Sequence, residues 1–76
     1  MTYMFFRFAK NSNEFISKGI SLYKKKNFEE AIACFERALE RDAKNDTAWF
    51  HRGLVLREFG KYEEAITCFD KALEIE

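Results

Sequence analysis

Residues 28–40 read FEEAIACFERALE, and residues 62–74, 34 positions later, read YEEAITCFDKALE. The two stretches share Glu-Glu-Ala-Ile, Cys-Phe and Ala-Leu-Glu at equivalent places, and most other positions exchange similar residues. At the same offset upstream, Gly19 matches Gly53, and a leucine follows each glycine by three residues. A period of this length is typical of a stacked array of short helical units and not of a compact enzyme fold.

Four helices are predicted along the chain. Apolar residues recur at spacings of three and four over 28–41 and 62–75, the period of a helix with one buried face. Shorter stripes of the same period predict helices over 12–25 and 46–59. There is no proline and the three glycines are well separated, so no linker or second domain is indicated. The sequence therefore predicts one all-α domain of two antiparallel helical hairpins, preceded by a short aromatic segment.

Asparagine and glycine mark several predicted helix ends. Asn11 and Asn27 each stand three residues before a glutamate, a spacing typical of helix N-caps. Either Asn45 or Asp46 is expected to cap the third helix. Gly60 is expected to end that helix, because glycine tolerates the left-handed backbone found after many helix C-termini.

Two glycines fall inside predicted helices, where each costs roughly 1 kcal/mol relative to alanine. The expected reason for Gly19 and Gly53 is close approach of the paired helix, which carries the small residues Ala31 and Ala65 where it would cross. A phenylalanine four residues after each alanine is expected to fill the space beyond.

Composition limits the classes of function. The chain has 76 residues, 13 basic and 13 acidic, so it forms one small domain that buries roughly 60–65% of its unfolded surface. Zero net charge makes nucleic acid an unlikely principal partner, because phosphate binding requires a cationic excess. No stretch approaches the roughly 20 apolar residues of a membrane span. Cys34 and Cys68 fall at equivalent repeat positions, expected to be too far apart for a disulfide, which predicts free thiols and a cytoplasmic location.

No arrangement of catalytic or metal-binding residues is visible. His51 is the only histidine, and no other candidate ligand or nucleophile stands at a suitable spacing from it. The Glu-Glu pairs open helices, where negative charge stabilises the positive end of the helix dipole. We therefore expect no enzymatic activity, no cofactor and no metal.

The matched positions of the two units follow a known order: an aromatic residue, a glycine four residues later, then Ala-x3-Phe and a further alanine. The residues concerned are Phe15, Gly19, Ala31, Phe35 and Ala38 in the first unit, and Trp49, Gly53, Ala65, Phe69 and Ala72 in the second. This order resembles the tetratricopeptide repeat family. Lys18 and Arg52 depart from the family's leucine, and Ala43 from its closing proline.

The resemblance implies an α-α superhelix, with an N-terminal aromatic segment over 1–11, repeat 1 over 12–45 and repeat 2 over 46–76. It further implies a protein-binding scaffold whose first helices line a concave groove for a peptide or helix. The residues expected to line this apolar groove are Ile16, Ile20, Tyr23, Lys24, Phe50, Leu54 and Arg57. An equally open interpretation is that the apolar ones among them only widen the core between the repeats.

Self-association is also predicted, with a homodimer as its expected form. The aromatic N-terminal segment has nothing local to pack on, and the end of repeat 2, including Cys68 and Ala72, is expected to lack a covering helix. The residues expected to mediate self-association are Tyr3, Phe5, Phe6, Phe8, Phe59 and Ile75. Alternatives are that the chain is a fragment of a longer repeat protein, or an adaptor that contacts nucleic acid or an acidic partner through Lys24–Lys26.

Overall fold

The computed structural model describes the backbone of residues 11–75 and the side chains of residues 11–74. Over this range the regular elements are all helices: α1 (Ser12–Lys24), α2 (Phe28–Arg41), α3 (Asp46–Glu58) and α4 (Tyr62–Ile75). The predicted bounds are correct to within one residue. The self-association residues Tyr3, Phe5, Phe6 and Phe8 and the side chain of Ile75 lie outside the described part of the chain.

The four helices form two hairpins, α1 with α2 and α3 with α4, and the second hairpin stacks on the first mainly through α3 against α2. Ile16, Phe35 and Ala38 of repeat 1 share one buried cluster with Ala48 and Val55 of α3. The core of the first hairpin therefore continues without a break into the contact between the repeats.

Both hairpin turns close in the same way. The residue after the helix C-cap has a positive φ, 67° at Lys26 and 87° at Gly60. The next amide N–H, of Asn27 in the first turn and Lys61 in the second, donates to the helix carbonyl five residues back at 2.9 Å. This is the long-range bond of the Schellman motif. The prediction for Gly60 is confirmed, and a lysine occupies the same left-handed position one repeat earlier.

The asparagine caps differ in what they bind. The Asn11 side chain accepts the Glu14 N–H at 3.1 Å, and the Asn45 side chain accepts the Ala48 N–H at 3.2 Å. The third helix is thus capped by Asn45 and not by the aspartate that follows it. Asn27 stands at the N-cap of α2, but its side chain makes no capping hydrogen bond.

The two mid-helix glycines lie under phenylalanine rings. A methyl group built on Gly19 would come within 2.6 Å of Phe35 Cε1, and one on Gly53 within 2.6 Å of Phe69 Cε1. The predicted close approach of the paired helix is confirmed, with the phenylalanine ring directly over each glycine.

Cys68 was expected at the uncovered end of repeat 2 and faces repeat 1 instead. Cys68 is fully buried and packs in a cluster to which Ile32 of α2 also contributes. The Cys68 sulfur accepts a hydrogen bond from Arg52 Nη1 at 3.0 Å. The Phe59 ring, although 41% exposed, lies 6.3 Å from the ring of Phe28. The expectation was wrong for Cys68, because this side of the second hairpin is the one that α2 covers.

Candidate protein-binding surface

The predicted groove residues lie on α1 and α3, which contact each other directly. Ile16 is only 6% exposed and belongs to the core, so it offers no surface to a partner. Ile20 and Leu54 are half-buried, and Phe50 is 47% exposed. The apolar strip available on these helices is therefore narrower than the sequence predicts.

Aromatic and basic side chains follow the strip toward the C-terminal ends of the two helices. Tyr23 is half-buried, with its ring 6.0 Å from that of Phe28. Lys24 and Arg57 are exposed in the last turns of α1 and α3, where positive charge is favoured by the helix dipole.

The His51 side chain contacts residues of both repeats. Its ring stacks on Phe35 with 5.7 Å between centroids, and Nδ1 lies 2.9 Å from the carbonyl oxygen of Thr47. A carbonyl oxygen can only accept a hydrogen bond, so Nδ1 carries the hydrogen and is the donor in this contact. Among the described residues, no group of three His, Cys, Asp or Glu side chains could hold a metal ion.

Equivalent apolar residues of the two repeats differ strongly in burial. Phe35 is fully buried beneath α3, whereas Phe69 is only half-buried. Leu39 is half-buried, whereas Leu73 is 73% exposed. Among the described helices, α4 packs against α3 alone. We call the resulting surface the open face; its residues are Phe50, Tyr62, Ile66, Phe69 and Leu73.

The opposite end of the stack is polar. Glu14 and Ser21 are exposed on α1 at the positions where α3 has the fully buried Ala48 and Val55. We call this surface the outer face of α1; its residues are Asn11, Glu14, Ser17, Lys18 and Ser21, and they line a shallow depression.

Among the described residues, two polar contacts join α3 and its N-cap to the first hairpin. Arg52 Nη2 donates to Glu36 Oε2 at 3.0 Å, and Asn45 Nδ2 donates to Ser12 Oγ at 3.2 Å. The counterparts of the two acceptors in repeat 2 are Asp70 and the exposed Asp46.

These hairpins, with a glycine under a phenylalanine in each and a shared core between them, are matched by a family model. The model of the tetratricopeptide repeat covers residues 16–75. The chain belongs to the tetratricopeptide repeat family. Repeats of this family are in general protein–protein interaction modules, and they are typically scaffolds without catalytic activity. Comparison with curated proteins found no match.

Both cysteines of the repeats are free thiols. Burial raises the pKa of the Cys34 thiol, and the nearby positive charges of Lys18 and Arg37 oppose the shift. Burial also raises the pKa of the Cys68 thiol, against the opposing influence of Arg52. A raised pKa disfavours the thiolate, which is the nucleophilic form of cysteine.

The residues of the open face on α4 were not singled out from the sequence, apart from the general expectation of an uncovered end. From the sequence, Ile66, Phe69 and Leu73 are predicted to be ordinary core positions, because they continue the same apolar stripe as their counterparts in repeat 1. The described helices include none that is both long enough and apolar enough to cross a membrane.

Proposed function

We propose that this tetratricopeptide repeat chain is a scaffold that holds a peptide or helix of a partner protein against a strip on α1 and α3. The strip consists of Ile20, Tyr23, Lys24, Phe50, Leu54 and Arg57. The observation that supports it is that Ile20 and Leu54 occupy the same position in the two repeats, and both are apolar without being fully buried. Apolar side chains spaced along a surface in this way suit the regularly spaced anchors of an amphipathic helix.

The charged end of the strip suggests an orientation for the partner. Lys24 and Arg57 are both exposed and lie in the last turns of the two helices. A partner segment with an acidic residue at one end would place that residue there and its apolar anchors near Ile20 and Leu54. The charges would set direction and association rate more than affinity.

The proposal is tested with a peptide selected from a displayed library on the intact protein. Its affinity is measured by fluorescence anisotropy for the wild type and for an Ile20→Ser/Leu54→Ser double variant, with helix content monitored by circular dichroism. We expect an affinity loss of about tenfold or more, since buried apolar anchors dominate such interfaces. Thr67→Ser, at an exposed position of α4, is the matched control. Unchanged binding by a folded double variant would contradict the strip assignment.

A second candidate is an adaptor for nucleic acid or an acidic partner. Lys24, Lys25 and Lys26 are contiguous and exposed at the first hairpin turn. Binding of a single-stranded RNA oligonucleotide through these residues would weaken steeply with salt, whereas apolar binding on the strip would change little. A steep salt dependence that disappears in a variant with all three lysines changed to glutamine would favour the adaptor.

Homodimer formation and a cytoplasmic location are also part of the proposal. The dimer is proposed to form through the aromatic residues of segment 1–11. All of these aromatic residues lie outside the described part of the chain. Light scattering on the intact chain and on a Phe5→Ser/Phe6→Ser variant tests it, and a monomeric wild type would contradict it. The free thiols support the cytoplasmic location, which imaging of a fluorescent fusion would test.

A further inference from the structure

The open face contains a shallow groove between α3 and α4. The groove has a volume of about 330 Å³, and its lining residues are Asp46, Thr47, Phe50, His51, Ala72 and Leu73. In repeat 1 three of the six equivalent positions are covered: Ser12 and Ile16 are buried, and Ala38 is fully buried, whereas the counterparts of Thr47 and His51 are exposed. The start of α3 covers the three buried positions, because Asn45 hydrogen-bonds to Ser12 and Ala48 packs in the same cluster as Ile16. Repeat 1 therefore shows what kind of segment fits this site.

The side of α3 that contacts repeat 1 has a defined chemistry. Ala48, His51, Arg52 and Val55 follow one another at i, i+3, i+4 and i+7, so they share one helix face. Ala48 and Val55 are fully buried, the His51 ring stacks on Phe35, and Arg52 pairs with an acidic residue of α2. The order along the helix is thus a small residue, a ring, a basic residue and a β-branched residue.

The open face offers the groups that such a helix requires. Phe69 stands where Phe35 receives the His51 ring, and Leu73 extends the apolar surface one turn further along α4. Asp70 stands where Glu36 accepts the Arg52 guanidinium, and Asp46 stands where Ser12 accepts the Asn45 amide. Both acceptors of repeat 2 are acidic, so positive charge on the occupant is favoured more than it is in repeat 1.

We propose that the open face docks an amphipathic α-helix of a partner protein that resembles α3, with a small residue, a ring, an arginine or lysine and a β-branched residue at i, i+3, i+4 and i+7. The basic residue pairs with Asp70, the ring lies on Phe69, and the small residue enters the groove beside Leu73. This surface is separate from the strip on α1 and α3, except that Phe50 borders both.

A second copy of this chain fits the open face poorly. The helix of a second copy equivalent to α3 is α1, and Lys18 would suit Asp70 as Arg52 suits Glu36. However, Glu14, Ser17 and Ser21 stand on α1 where the docked helix needs a small residue, a ring and a β-branched residue. Docking would place the Glu14 carboxylate at the position of the fully buried Ala48, and burying such a charge is costly. The chemistry therefore disfavours a second copy of this chain.

The test uses α3 itself as the probe. A synthetic peptide with the sequence of residues 44–60, held helical by a lactam bridge on its solvent face, is titrated into the intact ¹⁵N-labelled protein. The bridge is needed because an isolated helix of this length is marginally stable in water. We expect amide shift changes centred on Phe50, Phe69 and Leu73. Binding should weaken in Leu73→Asn, and weaken roughly fivefold in Asp70→Lys, in line with a partly exposed ion pair.

Charge exchange gives the decisive comparison. A peptide carrying Arg52→Glu should bind the Asp70→Lys protein about as well as the original peptide binds the wild type. Glu74→Lys is the matched control, because it makes the same charge change one turn away on α4. Strip variants such as Ile20→Ser should leave peptide binding unchanged, so failure of the strip proposal and failure of this one are distinguishable.

Three outcomes would overturn the inference. The first is no shift change on α3 or α4 with the helical peptide. The second is a response centred on Ile16 and Glu36, which would mean that the peptide displaces the protein's own α3. The third is a light-scattering result in which the wild type forms an oligomer and Leu73→Asn does not. That result would assign the open face to a second copy of the chain.

Discussion

The ring of Phe35 lies so close over Gly19 that a methyl group on the glycine would come within 2.6 Å of Cε1. Phe69 lies over Gly53 with the same separation. The two rings differ in their freedom to move, because Phe35 is fully buried and Phe69 borders the open face. Replacing each glycine by alanine thus tests the same clash in a closed and in an open setting.

Gly19→Ala should lower the free energy of unfolding by about 2 kcal/mol, a typical cost of overpacking a core that cannot relax. Gly53→Ala should cost much less, because Phe69 can turn outward, whereas the helix propensity that alanine gains, roughly 1 kcal/mol, is common to both variants. Urea unfolding followed by circular dichroism measures both. Equal losses in the two variants would show that Phe69 is as constrained as Phe35.

Lys26→Gly should stabilise the chain by about 1 kcal/mol. Lys26 has φ of 67°, a conformation that costs a residue with a Cβ atom roughly 1–2 kcal/mol and that glycine adopts freely. The reverse change, Gly60→Lys, should destabilise by a similar amount, because Gly60 has φ of 87°. Thermal unfolding of the two variants provides the measurement, and Lys25→Gly is the control, since Lys25 has a negative φ of −87°. A loss of stability in Lys26→Gly would exclude the left-handed turn.

Glu36→Gln should lower stability by about 0.5 kcal/mol, the size expected for a partly exposed ion pair. Its partner Arg52 is 22% exposed and Glu36 is 50% exposed, so solvent screens the pair. The difference from wild type should shrink in 1 M salt, where the Debye length is about 3 Å. Asp70→Asn, at the equivalent position of repeat 2, should leave the stability of the isolated chain unchanged. A comparable loss in that control would point to a general charge effect.

Asn45→Ala should cost about 1–2 kcal/mol. The Asn45 side chain accepts the Ala48 N–H and donates to Ser12, so one change removes the cap of α3 and a contact of that cap with α1. Asn27→Ala is the matched control, because Asn27 occupies an N-cap without a side-chain capping bond. Denaturant unfolding should show a large loss in the free energy of unfolding for Asn45→Ala and a negligible loss for Asn27→Ala. Similar effects would contradict the difference between the two caps.

Iodoacetamide at mild pH should modify Cys34 before Cys68, because Cys34 is half-buried and Cys68 is fully buried. Burial raises the pKa of both thiols, so the folded chain holds both protons more tightly than the unfolded chain does. This contribution to stability is complete below about pH 8.5, the usual thiol value, and is lost as pH rises through the raised values. A Cys34→Ala/Cys68→Ala variant should lose less stability than wild type over that interval. Mass spectrometry of the modified peptides measures the order in which iodoacetamide modifies Cys34 and Cys68. Equal rates of modification would contradict the predicted order.

Much of the fold could be predicted from the sequence, because each helix carries its own periodic signal and each repeat confirms the other. The helix bounds, the Asn11 cap and the close approach at Gly19 all followed from local spacing. The left-handed lysine could not be predicted from propensity, since lysine rarely adopts positive φ. Only its alignment with Gly60 carries that information.

The candidate surface was less predictable, because burial depends on what lies next to a residue. Ile16 and Phe50 occupy the same position in the two repeats, yet one is core and the other is 47% exposed. Cys68 was placed on the wrong side of its helix, since periodicity identifies a buried face without saying which neighbour covers it. Comparing each residue with its counterpart in a covered repeat resolves both cases.

The one-sided packing of α4 has a consequence for motion. In a repeat array each unit is stabilised by its neighbours, so local opening requires the least free energy where contacts are fewest. Because α4 contacts only α3 among the described helices, whereas α3 contacts the other three, the amide protons of α4 should exchange fastest and those of α3 slowest. A segment docked on α4 would then be detected first as slowed exchange in that helix.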